Sequence, residues 1–117
     1  MLSPQTILVV QQSPTIRRML AHSLERRGYR VLQASGSHSG REVLESARVD
    51  LVMSDLNLPG LGGERLVQHL RGTTKNPTVA VLLMTASEVE PVAGASGQLA
   101  RPFTPGVLES TVRELLC

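Results

Sequence analysis

Five polar side chains stand where the apolar runs of this 117-residue chain end, and they are the ones placed to do chemistry. Ile7-Leu8-Val9-Val10 runs into Gln11-Gln12. Asp50-Leu51-Val52-Met53-Ser54 runs into Asp55, followed by Leu56-Asn57-Leu58-Pro59-Gly60. Leu82-Leu83-Met84 runs into Thr85, and Ala100-Arg101-Pro102-Phe103 carries a guanidinium. A carboxylate can ligate a hard cation or pair with arginine, whereas an amide offers a carbonyl oxygen without charge. An isolated acid at the end of a strand is most often a cap or turn residue. Any chemistry at Asp55 therefore depends on the other four standing beside it.

The pattern of elements says that they do. Thr6–Val10 is apolar on both faces, as a buried parallel strand must be. Ser13 reads as a helix cap with Pro14 at the first helical position. The helix extends to about Arg27, with Ile16, Met19, Leu20 and Leu24 as its apolar stripe and Gly28 as its left-handed stop. Arg30–Ala34 reads as a strand and Ser35–Gly40 as a loop. A short helix through Val43, Leu44 and Ala47 leads to a third strand, Leu51–Ser54. Leu66, Val67 and Leu70 mark another helix, closed by Gly72 to Pro77. Val79–Met84 is the most apolar strand. The final helix is capped by Thr104, has Pro105 in its first turn, and offers Val107, Leu108, Val112, Leu115 and Leu116 for burial. Between Thr85 and Gln98, Pro91, Gly94, Ser96 and Gly97 leave room for about one helical turn at most, so the fourth helix is shortened or missing. Strand and helix alternate through short connections, which implies an α/β three-layer sandwich of flavodoxin-like type. Its five-stranded parallel sheet has the order 2-1-3-4-5. In such sheets the functional groups collect at the carboxyl ends of the strands, where all five candidates fall.

These segments together resemble the receiver domain of bacterial two-component response regulators, of the chemotaxis-response-regulator kind, over essentially all of residues 1–117. The resemblance implies a signalling module rather than an enzyme. In that family two acids at the end of the first strand hold Mg²⁺, and an aspartate ending the third accepts a phosphoryl group. A Thr or Ser ends the fourth strand, and a Lys precedes a Pro at the end of the fifth. Here Asp55 stands at the phosphoacceptor position and Thr85 at the hydroxyl position, while Gln11 and Gln12 replace the acid pair and Arg101 replaces the lysine. Gln98 stands where receivers often carry a switching Tyr or Phe. Asn57 falls where the family lends a backbone carbonyl to the metal. Three acids and one base give the usual pocket a formal −2, but Asp55 with Arg101 gives zero, so the electrostatic reason to bind Mg²⁺ is gone. No metal is expected; if one bound, Asp55 and Asn57 would be the remaining ligands. Asp55 is expected to act mainly as structure, paired with Arg101 or bonded to Gln12 or Thr85.

Composition excludes several other classes. One Tyr and one Phe leave no base-stacking platform, and a net charge of +2 is too small for a polyanion-binding face. No nucleic acid partner is expected, and no membrane span or signal peptide is legible. Cys117, the single cysteine, fits a reducing cytoplasm. His22, His38 and His69 lack metal-ligand spacing. Arg17, Arg18, Arg26, Arg27 and Arg30 read first as a solvated basic face and second as a partner surface. The Gln11-Gln12-Ser13-Pro14 turn lacks the glycines of a phosphate loop, which disfavours a nucleotide- or flavin-binding protein of the same architecture. The resulting expectation is an atypical receiver in the cytoplasm, acting by protein–protein interaction without Mg²⁺-dependent aspartyl phosphorylation. Further domains or a weak homodimer are compatible with it. The alternative is a working receiver phosphorylated on Asp55.

Overall fold

The strongest apolar run, Thr6–Val10, forms strand β1, and every residue in it is buried. The computed structural model describes residues 4–116, so Cys117 lies outside the described residues. Arg30–Ala34 forms β2, Leu51–Asp55 β3, Ala80–Thr85 β6 and Gly97–Ala100 β7. These five strands make one parallel sheet in the order β2-β1-β3-β6-β7, the flavodoxin-like order. A small antiparallel ribbon, β4 (Asn57–Leu58) and β5 (Leu61–Gly62), turns through Pro59 and Gly60, whose φ of 82° suits glycine.

Among the described residues four helices cover the sheet: α1 (Pro14–Glu25), α2 (Ser37–Ser46), α3 (Gly63–Arg71) and α4 (Pro105–Leu116). Alternate residues of each strand enter two separate cores. Leu8, Val10, Val52, Val81 and Leu83 join Leu44, Leu66 and Leu70 from α2 and α3 on one face. Ile7, Val9, Met53, Leu82 and Met84 join Leu24, Leu108 and Val112 from α1 and α4 on the other. That alternation is the period-2 geometry of a strand buried on both sides. Among the described residues no helix is long and apolar enough to cross a membrane.

Several local expectations shift. The strand ends move by a residue, so β3 includes Asp55, β6 includes Thr85 and Arg101 follows β7. Helix α1 stops at Glu25; the amides of Arg27 and Gly28 then bond Leu24 and Glu25 three residues back, and Gly28 takes a φ of 92°. Helix α2 begins inside the segment expected to be loop. The Ser39 hydroxyl accepts from the Gly36 amide and donates to the Gly36 carbonyl, which starts the helix early. Gly40 then sits in that helix where an added Cβ would lie 3.1 Å from Val10 Cγ2, so helix and strand approach closely. The expected α1 stripe is only half buried. Ala21 and Leu24 are enclosed, while Ile16 is 39% and Met19 67% exposed. The seam runs through positions 17, 20, 21 and 24, and Ile16 and Met19 fall outside it. Val107, expected to be available for burial, is exposed for the same reason, α4 burying Leu108 and Val112.

Between β6 and β7 there is no helix. Residues 86–96 run as bends, turns and irregular chain, in keeping with Pro91 and the Gly-Ser cluster. Arg71, at the end of α3, ties this segment down by donating to the Val79 carbonyl (2.9 Å), the Gly94 carbonyl and Ser96 Oγ (3.2 Å). Ser96 Oγ in turn accepts from the Val81 amide at 2.9 Å.

Candidate functional site

The parallel registers carry the candidate side chains to one edge. Asp55 pairs in register with Met84 and Thr85 with Ala100, and the Arg101 amide donates to the Thr85 carbonyl at 2.8 Å. Gln11 continues β1, its amide bonding the Ala34 carbonyl at 3.0 Å. The carboxyl ends of β1, β3, β6 and β7 therefore bring Gln11, Asp55, Thr85 and Arg101 together.

Arg101 donates through a terminal guanidinium nitrogen to Asp55 Oδ1, forming a direct ion pair. The Asp55 side chain is 17% exposed and that of Arg101 36%, so the acid is the more enclosed partner. Gln11 is almost fully buried. Its Oε1 accepts from the Ser13 amide at 3.1 Å, and that bond orients the amide. Gln11 Nε2 makes no hydrogen bond of full geometry, yet it is close enough to the Asp55 carboxylate to favour its charged form. Burial is the larger influence and pushes the Asp55 carboxyl above its ordinary value. The Arg101 charge, and hydrogen bonding from Gln11 and Arg101, act in the opposite direction without cancelling it.

Neither Gln12 nor Thr85 takes the place offered to it beside Asp55. Gln12 is exposed, and among the described residues no hydrogen bond joins it to Asp55. Thr85 is buried, and its hydroxyl donates to the Ser87 carbonyl at 2.7 Å, with a longer contact to Leu99 at 3.5 Å. Gln98 lies within β7, and its Oε1 accepts from the Val92 amide at 2.6 Å. It anchors the helix-free segment from inside.

A hard dication needs several free oxygen donors. The Gln11 oxygen is occupied, Gln12 faces outward, and Asp55 Oδ1 already faces a guanidinium. Asn57 is exposed on β4. Among the described residues no three His, Cys, Asp or Glu side chains group closely enough to hold a metal ion. Two contributors escaped sequence reasoning: the inward amide of Gln11, as distinct from Gln12, and the Arg71 clamp. Nothing in the sequence distinguishes the two adjacent glutamines. Arg71 carries only the weak signal of a base in the last turn of a helix.

The model of the family described as response regulator receiver domain matches residues 7–113. The phosphate regulon transcriptional regulatory protein PhoB of Pseudomonas aeruginosa is 29% identical over 118 residues, covering 96% of this chain and 52% of that protein. The transcriptional regulatory protein AfsQ1 of Streptomyces coelicolor is 30% identical over 117 residues, covering 95% of this chain and 51% of that one. The chain thus spans about half the length of these curated relatives. Among solved structures, the chemotaxis response regulator CheY4 of Vibrio cholerae is similar with a TM-score of 0.87 at 30% identity, covering 97% of this chain and 99% of that one.

Proposed function

This chain belongs to the response regulator receiver domains, a family of signalling modules, and we propose that it signals through protein contacts without Mg²⁺-dependent phosphorylation of Asp55. Residues 1–117 form one receiver-like domain on this reading. The observation that carries it is the ion pair: Arg101 holds the carboxylate that would otherwise face a metal ion and a phosphodonor. Phosphoryl transfer to a carboxylate gathers negative oxygens and depends on cations placed to meet them. Here one cation is already bonded to the acceptor, and the neighbouring amide of Gln11 is turned so that its donor, not its oxygen, faces the cleft. Thr85 supports the same reading, because its hydroxyl is engaged with Ser87 rather than directed at Asp55.

Amide chemical shifts followed during titration with Mg²⁺, and then with fluoroberyllate, test this directly. The expected result is no saturable change at Gln11, Asp55 or Asn57 in the millimolar range. Saturable shifts there, or an acyl phosphate on Asp55 detected by intact mass after treatment with a small phosphodonor, would instead establish a working receiver. The variant carrying Gln11→Asp, Gln12→Asp and Arg101→Lys is the positive control, and it should regain Mg²⁺ binding.

A further inference from the structure

The edge of the sheet opposite Asp55 carries an opening that the carboxyl-end site does not use. Strands β1, β2 and β3 begin at that edge and α2 ends there. A hollow of about 740 Å³ lies among these ends, with Arg30, Arg48 and Lys75 in its wall. A second hollow of about 230 Å³ shares Arg48 and Lys75 with it. Small-molecule sites have volumes of roughly 300–1,000 Å³.

The larger hollow is cationic. Arg30, Arg48 and Lys75 are exposed, and among the described residues none of them pairs with a carboxylate. Among the described residues Asp50 is the one acid in the wall, and its Oδ2 already accepts from the Thr6 amide at 2.7 Å. Three cations against one acid leave a formal +2 here, as much as the whole chain carries. Lys75 Nζ donates to the Ser46 carbonyl at the end of α2, at 3.4 Å, which leaves further N–H groups for a ligand. The wall is also held from behind. The Asp50 amide donates to the Thr6 carbonyl at 2.9 Å, and the Arg30 amide to the Gln5 carbonyl at 3.0 Å, so the starts of the three strands are joined. Asn76 accepts from the Val49 amide and donates to the Ala47 carbonyl. Those two bonds bracket Arg48 and fix its backbone beside Lys75, the neighbour of Asn76.

We propose that this hollow binds a dianionic phosphate group, free or as the monoester of a small molecule, between Arg30, Arg48 and Lys75. A guanidinium fork takes two phosphate oxygens at once, and an ammonium adds a point charge. A phosphomonoester carries a charge of about −1.5 to −2 at pH 7, which the formal +2 matches, whereas a single carboxylate meets only half of it. Among the described residues no aromatic side chain lines the hollow, so an attached base has no ring to stack on. A compact phosphate is favoured over a nucleotide recognised through its base. The hollow and Asp55 lie at opposite ends of β3, so the assignment stands whether or not Asp55 is ever phosphorylated.

Amide chemical shifts followed during titration with inorganic phosphate and, separately, with ribose 5-phosphate test the assignment. Saturable shifts are expected at Thr6, Arg30, Arg48 and Lys75. Equal affinity for the two probes assigns the free anion, and tighter binding of ribose 5-phosphate assigns the ester. Lys75 is the only lysine of the chain, so its acetylation by acetic anhydride, located by peptide mass, should slow as the hollow fills. Arg30→Gln with Arg48→Gln changes two exposed positions, should fold normally by circular dichroism, and should bind about tenfold or more weakly. Arg18→Gln with Arg26→Gln removes the same charge from exposed positions of α1 and should bind as the unaltered chain does. The absence of saturable shifts in the millimolar range overturns the proposal. So does an equal loss in both double variants, which would mean attraction to net charge rather than to this hollow. Acetylation of Lys75 that proceeds unslowed at saturating phosphate also refutes it.

Discussion

Removing the two members of the Asp55–Arg101 pair should have unequal effects on stability. Arg101→Ala leaves an ionised, 17% exposed carboxylate without its cation. Truncating one partner of a fully buried pair costs about 3–5 kcal/mol, and an exposed pair contributes about 0–1 kcal/mol. With Arg101 36% exposed, solvent screens much of the interaction, and a loss of about 1–2 kcal/mol is expected. Asp55→Asn removes the buried charge instead. Because burial outweighs the attraction of Arg101 and pushes the Asp55 carboxyl up, a neutral side chain is the easier one to enclose. That variant should be neutral or stabilised by up to about 1 kcal/mol, contrary to the reading in which the acid is simply structural. The pH dependence has a definite sign. A folded-state value above the unfolded one means that the contribution of Asp55 is fully present below the unfolded carboxylate value and is lost as pH rises through the folded value. Deleting Arg101 removes a cation that lowers this value, so the window extends upward and the Arg101→Ala defect should be larger at pH 7 than at pH 4. Urea unfolding monitored by circular dichroism at both pH values measures all of this. If Asp55→Asn loses as much stability as Arg101→Ala at pH 7, the pair is net stabilising and the argument from burial fails.

Asn76 is buried and holds three backbone groups, accepting from the Val49 amide at 2.9 Å and donating to the carbonyls of Leu44 at 2.6 Å and Ala47 at 2.8 Å. Asn76→Ala should cost about 2–4 kcal/mol by chemical denaturation, because these partners are left unsatisfied. Arg71→Met keeps an apolar stem but drops the clamp on Val79, Gly94 and Ser96. Amide exchange should then accelerate across residues 92–96 while β1 and β3 stay protected; uniform acceleration throughout the sheet would argue that the clamp is global instead of local.

The architecture was legible in the chain because its signals are local. The apolar runs at β1, β3 and β6, each short enough to be a strand and buried on both faces, imply a covered parallel sheet wherever they pair. Ser13-Pro14 marks the entry to α1, and Gly28, with its positive φ, its exit. Pro91 and the Gly-Ser cluster leave room for about one helical turn at most before β7 on backbone grounds alone. Strand ends meeting at one edge follow from topology, so the neighbourhood of Asp55 could be named in advance. What occurs inside that neighbourhood could not. Gln11 and Gln12 are identical in type, and only the pleat of β1 sends one inward and the other to solvent. Arg101, Thr85 and Gln12 were all in reach of Asp55 by sequence; the competing bonds of Thr85 to Ser87 and of Gln11 to Ser13 decide who bonds whom. Periodicity likewise offered Ile16 and Met19 a place in the α1 stripe. Whether a residue at the margin of a stripe is covered depends on how far the neighbouring element extends, and here α4 and the sheet stop short of both. Sequence sets what each segment can form and which edge it leaves from. Partner choice among side chains, and the covering of marginal ones, are differences between competing contacts that exist only once the layers have packed.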